Sequence, residues 1–229
     1  MLSVKNTFIF ALFIGPIGYI VSFLMAWVLG NLKARSLFSM SFYIPSIVST
    51  VAITTVWLFI FSNDRMGLVN NMLMTVGLID EPILWTQNGQ YIFIAVIIIS
   101  VWMSMGNGFL VFLAGLQGLP TEVYESARID GVKNKWQELW YITLPLMKPQ
   151  LLFGSINSIV VSFGVFDVVY QFAGMPTPNY SAHTIVAHLY DYAFLRFQMG
   201  YASAVAVVLF VITFSLGRVC MRVFRSDDE

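Results

Sequence analysis

Charge is scarce in this chain: Lys, Arg, Asp and Glu make up 10% of its 229 residues, and the 12 bases balance the 12 acids. Such a balance offers no polycation to nucleic acid, and no basic patch with interleaved aromatics occurs. Cysteine is nearly missing as well. Cys220 alone cannot close an intrachain disulfide, and its place near the end of the last apolar run reads as a small buried residue. No GxxxxGKS or GxxxxGKT stretch is present, so the chain has no phosphate cradle of its own. No catalytic, cofactor-binding or metal-binding set stands out. Residues 1–7 carry no basic run ahead of an apolar core, so no signal peptide is expected there.

What is present is apolar surface. The chain is 58% hydrophobic and 16% aromatic, with a mean hydropathy of +0.78, far outside the norms of soluble domains. Apolar runs of about 20 residues, the length that crosses about 30 Å of hydrocarbon, recur along it. These features predict an all-α, polytopic transmembrane bundle forming one domain over residues 1–229. Five spans are predicted, at about 8–29, 38–61, 91–114, 151–172 and 200–221. Pro16 and Pro45 fall inside the first two, where neighbouring helices can satisfy the freed carbonyls, so kinks are expected rather than breaks.

Orientation follows from the basic residues of the connections. Lys33, Arg35, Arg128, Lys133, Lys135, Lys148, Arg218, Arg222 and Arg225 fall on one side, against Lys5, Arg65 and Arg196 on the other. That bias places the 120–149 segment and the C-terminus in the cytoplasm and, with five spans, the N-terminus outside. Two outer connections carry helical periodicity. In 66–79 the apolar positions are Leu68, Val69, Met72, Leu73 and Val76; in 183–195 they are Ile185, Val186, Leu189, Tyr190, Ala193 and Phe194, set against a polar side of His183, His188 and Asp191. Both are expected to be short helices lying on the outer surface or packed across the mouth of the bundle, capping it rather than touching a partner.

The segment YESARIDGVKNKWQELWYITLPLMKP, residues 124–149, is a charge-bearing helical stretch between two runs too apolar for water. Thr121 is a fair N-cap, and Glu122 and Glu125 suit the positive end of a helix beginning near Glu122. Gly131 after Asp130 is a natural left-handed stop, and a second helix is expected from about Asn134 to Tyr141, ahead of Pro145 and Pro149. Val123, Ile129, Val132, Trp136 and Leu139 exceed what a solvated loop needs, so a protein groove is expected to receive them. Glu125 and Arg128 can pair on the helix surface.

The run Glu125, Ala127, Asp130, Gly131, Ile142, Leu144 and Pro145 resembles the EAA signature of permease subunits of binding-protein-dependent ABC importers. Ser126 stands where that signature has alanine, and the interval from Gly131 to Ile142 is one residue longer, which should rotate the second helix or lengthen the loop before it. GLQGLPTEVYESARIDG, GLVNNMLMTVGLI and MGYASAVAVVLFVITF extend the resemblance over nearly the whole chain, toward the carbohydrate-uptake branch of maltose and sn-glycerol-phosphate type. LSVKNTFIFAL resembles the start of the second span in that branch, so the usual first helix is expected to be missing.

The resemblance implies a type I ABC importer permease fold in a bacterial cytoplasmic membrane. It implies a second homologous permease, two ATPase subunits gripping the EAA helices, and an outer solute-binding protein. ATP and Mg are then used by the partner ATPase, with no cofactor on this chain and no nucleic acid. The coupling residues implied are Glu125, Ser126, Ala127, Asp130, Gly131, Trp136, Ile142, Leu144 and Pro145. Polar residues inside spans are candidates for the substrate path, because unsatisfied polar groups are costly in a bilayer. Ser104 and Asn107 in the third span, with Asn157, Ser162 and Asp167 in the fourth, form that set. Hydroxyl, amide and carboxylate groups suit a sugar, and the absence of bases in the spans disfavours an anionic cargo such as a glycerol phosphodiester. A polyamine permease is another alternative. A proton-coupled transporter using Asp167 with His183 or His188 is a third reading, disfavoured because neither an inverted repeat nor paired discontinuous helices can be read in the sequence.

Overall fold

The computed structural model describes residues 2–30 and 35–225. Lys33 and the side chains of Arg35, Asn107 and Arg225 lie outside the described residues. All regular elements described are helical. They run α1 (Leu2–Gly30), α2 (Arg35–Ile47), α3 (Thr50–Ile60), α4 (Leu68–Thr75), α5 (Gly89–Gln117), α6 (Thr121–Ile129) and α7 (Lys135–Glu138), followed by a π turn (Leu139–Thr143) and α8 (Leu144–Leu146). Then come α9 (Lys148–Phe163), a π turn (Val169–Ala173), α10 (Ile185–Tyr190) with a π turn (Asp191–Leu195), and α11 (Met199–Arg225).

Among the described residues, α1, α5 and α11 are long and apolar enough to cross a membrane unaided. At about 1.5 Å per residue, the 29 residues of α1 or α5 exceed the hydrocarbon thickness. The other two expected spans are interrupted. The second breaks between α2 and α3 at Val48 and Ser49, just beyond Pro45, where a kink alone was expected. The fourth stops at Phe163 and resumes at Asp167 after three non-helical residues. At Pro16 the expected continuity is found: α1 is unbroken there.

Helix α1 is the central post, packed against α5 and α9, with α2 on α5 and α11 on α9. In lipid no hydrophobic force drives helices together, so close packing and interhelical hydrogen bonds must hold them. The Gly18 backbone sits against the Ser104 hydroxyl, and a Cβ at Gly154 would meet the Phe112 ring at 2.6 Å. Ser22 donates to the Met105 carbonyl at 3.0 Å, Ser158 to that of Gly15 at 2.9 Å, and Tyr19 to that of Leu151 at 3.1 Å.

Two apolar cores stack along the post. One, around Phe10, Trp85, Ile92 and Phe172, lies at the end bearing the 62–88 and 174–198 connections, called here the loop end. The other, around Phe23, Phe109, Phe112 and Met147, lies at the opposite, hairpin end.

The loop end departs from the expected amphipathic pattern. In α4, Asn70 is fully buried while Leu68, Met72 and Val76 face outward. Its amide donates to the carbonyls of Ser62, Asp64 and Ile83 and accepts from Ile83 N and Trp85 Nε1 at 2.9–3.1 Å. In 183–195 the pattern holds in part: Ile185 and Ala193 are buried as expected, but so are His183 and Asp191, and Phe194 is exposed. Partners near and far hold this segment. Asn6 donates to the carbonyls of Tyr180, Ser181 and His183, Thr7 accepts from Ile185 N at 2.8 Å, and Arg196 pairs with Asp191 at 2.9 Å.

Candidate functional site: a glycine elbow and a cavity between broken helices

At the hairpin end the chain leaves α5 through Pro120 and enters α6, with Glu122 in its first turn and Arg128 in its last, the arrangement a helix dipole favours. Pro120, not Thr121, occupies the N-cap position, one residue ahead of the expected start. The helix ends in a Schellman motif: Gly131 N donates to Arg128 O and Val132 N to Ala127 O, with Gly131 at φ +99°. A side chain at Gly131 would be strained by that φ even though no atom crowds it. Asn134 then caps α7 by accepting from Gln137 N at 2.8 Å. The helical path runs on to Leu146, past the expected end at Tyr141, through a π turn that falls in the lengthened interval before Pro145.

The two arms are tied across the elbow. Arg128 Nε donates to Glu138 Oε1 at 2.9 Å, and Lys135 lies 3.8 Å from the other oxygen. Tyr124 and Thr143 share a hydrogen bond at 2.9 Å. Arg128 is thus engaged by Glu138, a residue the sequence pattern did not single out, rather than by Glu125. An acid in a helix that must pack on an apolar bundle needs a cation, and that signal could have pointed to it. Glu125, Ser126, Asp130, Gly131, Trp136 and Pro145 are exposed, Ala127 and Leu144 are half-buried, and Ile142 is buried. Leu139 is also buried, contrary to expectation: it joins the hairpin-end core, so Trp140 and Tyr141 take its place on the outside. An open cleft of about 560 Å³ lies between the arms and the bundle, lined by Trp27, Thr121, Tyr124, Glu125, Arg128 and Glu138.

The two helix breaks meet at one place. Ser46, Val48 and Thr50 from the α2–α3 break and Gly164, Val165 and Asp167 from the break after α9 line a single cavity of about 250 Å³, with Ser100 and Ser104 of α5 on its wall. Non-helical backbone is tolerated at membrane depth where it lines a cavity. The Ser100 hydroxyl is buried there without a partner. Ser104 also lines an adjoining crevice with Asn157. Of the expected path residues, Ser104, Asn157 and Asp167 therefore gather at adjoining openings, Asp167 being exposed. Ser162 does not join them. It is buried against Gly15 of α1 and donates to the Ile159 carbonyl at 3.0 Å, a packing role. The paired discontinuous helices that the sequence did not reveal are thus present, so their supposed absence is no argument against a secondary transporter. That reading has to be judged by family.

Residues 8–224 match the family described as "Binding-protein-dependent transport system inner membrane component". The chain is 35% identical over 231 residues to "Probable ABC transporter permease protein YesP" of Bacillus subtilis (strain 168), covering 99% of this chain and 72% of that protein. It is 34% identical over 213 residues to "Lactose transport system permease protein LacF" of Rhizobium radiobacter, covering 92% and 70%. Its fold matches, with TM-score 0.87 and 21% identity over 100% of this chain and 79% of the other, a chain of a bacterial ABC transporter involved in the import of the acidic polysaccharide alginate. This chain belongs to the family of inner-membrane components of binding-protein-dependent transport systems. It is a multi-pass transport subunit with the all-helical permease fold.

Proposed function

We propose that this chain forms half of the translocation path of an ATP-driven importer for a neutral sugar or oligosaccharide. Five crossings, two of them made by broken helices, place the hairpin end in the cytoplasm. A second permease, two ATPases and an outer solute-binding protein complete the machine. The observation that carries the coupling role is the elbow at Gly131: it projects Glu125, Ser126 and Asp130, together with the apolar Ile129, from a helix none of whose residues is buried. Residues held out on a rigid turn suit a groove on an ATPase.

The cargo class rests on the cavity, whose Ser46, Thr50, Ser100, Ser104 and Asp167 offer hydroxyls and one carboxylate and no base. Sugar hydroxyls pair with such groups, whereas an acidic cargo would be repelled. Relatives named for lactose and for arabinooligosaccharide transport agree with this choice.

Two variants test coupling: Gly131→Pro, which removes the elbow N–H bonded to Arg128 O, and Glu125→Lys. Each should abolish uptake and substrate-stimulated ATP hydrolysis in the purified importer while leaving membrane insertion intact. Retained stimulation would refute the coupling role. Asn157→Leu should impair uptake without loss of subunit assembly; if assembly fails instead, Asn157 is a packing residue.

A further inference from the structure

The second arm of the hairpin has an apolar inner side and an aromatic outer side. Leu139 and Met147 are buried in the hairpin-end core and Ile142 is buried as well, while Trp136, Trp140 and Tyr141 are 59%, 65% and 74% exposed. A helix apolar on both sides is unstable in water, so something apolar covers the outer one. The height of the arm identifies the cover. The Trp136 ring packs on Trp27 at 5.3 Å between centroids, and Trp27 lies three residues before the end of the membrane-length α1. The arm therefore lies level with the end of a membrane-crossing helix, where hydrocarbon gives way to headgroups. The exposed residues are Trp and Tyr, whose apolar rings and polar tips suit that layer. Beyond it, exposed Phe153 and Val160 of α9, seven residues apart and so on one side of the helix, carry the apolar surface on toward the membrane interior.

We propose that the Lys135–Leu146 arm lies in the bilayer interface, anchored by Trp140 and Tyr141 among the lipid headgroups, and that this contact fixes the height at which α6 meets its partner. The second half rests on the coupling reading above; the first does not. The arm is held between the core on one side and lipid on the other, so α6 alone projects into water.

Cys220 is the only cysteine, so a Cys220→Ser background in a cysteine-free assembled importer allows single nitroxide labels in nanodiscs. Labels at Tyr141→Cys and, separately, Trp140→Cys should collide with oxygen several-fold more than with a water-soluble nickel chelate, relative to a label at the exposed Glu81→Cys. An Ile129→Cys label should be shielded from both. Labels at 140 and 141 as open to nickel as the one at 81 would overturn the lipid contact, and so would labels shielded from both reagents, which would mark a protein neighbour. An Ile129 label open to nickel, with 140 and 141 in lipid, would refute only the docking of α6.

Discussion

The two ends of the bundle are held by opposite means. At the loop end, buried side-chain amides and hydroxyls tie distant segments together: Asn70 alone makes five hydrogen bonds inside the 62–88 connection, and Asn6 and Thr7 stitch α1 to residues 180–185. At the hairpin end, α6 buries nothing and is joined to the second arm by one ion pair, one hydroxyl pair and a helix-stop motif. Buried hydrogen-bonded networks such as that of Asn70 rigidify, and their loss is costly. The ion pair at the hairpin end has one buried partner, Glu138, and one exposed partner, Arg128, which solvent screens. On the proposed reading the loop end is a fixed plate and α6 a lever, the division of labour a transporter driven from one side requires.

The sharpest blow to the plate is Asn70→Leu. It deprives Trp85 Nε1, Ile83 N and three carbonyls of their partner, and each buried group left unpaired costs on the order of 1–3 kcal/mol. A loss of roughly 3–5 kcal/mol is expected on that basis, seen as a large drop in the thermal midpoint of the detergent-solubilised importer and as new protease cutting within 62–88. A midpoint unchanged from wild type would remove the distinction between the ends.

A smaller stability effect with a larger functional one is expected at the strut. Arg128 is more than half exposed, so the pair with Glu138 contributes only about 1 kcal/mol after solvent screening. Because Glu138 is buried, Arg128→Glu sets a second carboxylate beside an unpaired buried one; it should lower the thermal midpoint less than Asn70→Leu does and lower uptake per ATP hydrolysed about tenfold, and the swap Arg128→Glu with Glu138→Arg should restore most of both. If the swap stays as uncoupled as the single change, orientation of the arms does not depend on this pair.

The smallest effect concerns acid. Burial, aided by neighbouring cationic groups, holds both His183 and His188 below the ordinary histidine value of about 6.5. Both are neutral in the folded state near pH 7. As pH falls below about 6.5, the unfolded chain takes up protons that the folded one refuses, so stability present above that value is progressively lost on acidification. The thermal midpoint should decline from pH 7 to pH 5, less steeply in a His183→Phe variant, with the added protease cutting confined to 174–198. An identical slope in the variant would exclude His183 as the source.

How far the sequence disclosed all this depended on the reach of each interaction. Helices α1, α5 and α11 could be read because predominantly apolar runs of membrane-crossing length favour a helix, which satisfies its own backbone in lipid. The stop at Gly131 could be read because a Schellman motif is complete within six residues. The breaks after Pro45 and Phe163 could not, since proline or glycine in an apolar run signals a kink as readily as an end, and only the shared cavity decides. The inward turn of His183 and Asn70 was hidden for another reason. Side-chain periodicity assigns polar groups to water, whereas Asn70 finds its partners in the turns flanking its own helix and the 183–185 backbone is bonded by Asn6 and Thr7 of α1, more than 170 residues away. Ser162 was misplaced by the same logic: a hydroxyl in a span serves a pathway or a helix seam equally well, and Gly15 opposite it makes the seam.

Whether α6 is the part on which the ATPase pulls can be asked with one crosslink. In native membrane vesicles of a Cys220→Ser, Ser126→Cys variant, a short bifunctional thiol reagent should join this chain to the ATPase, with a yield that changes when ATP is added. A chain that is labelled at Ser126→Cys yet never captured with the ATPase, with or without nucleotide, would contradict the lever.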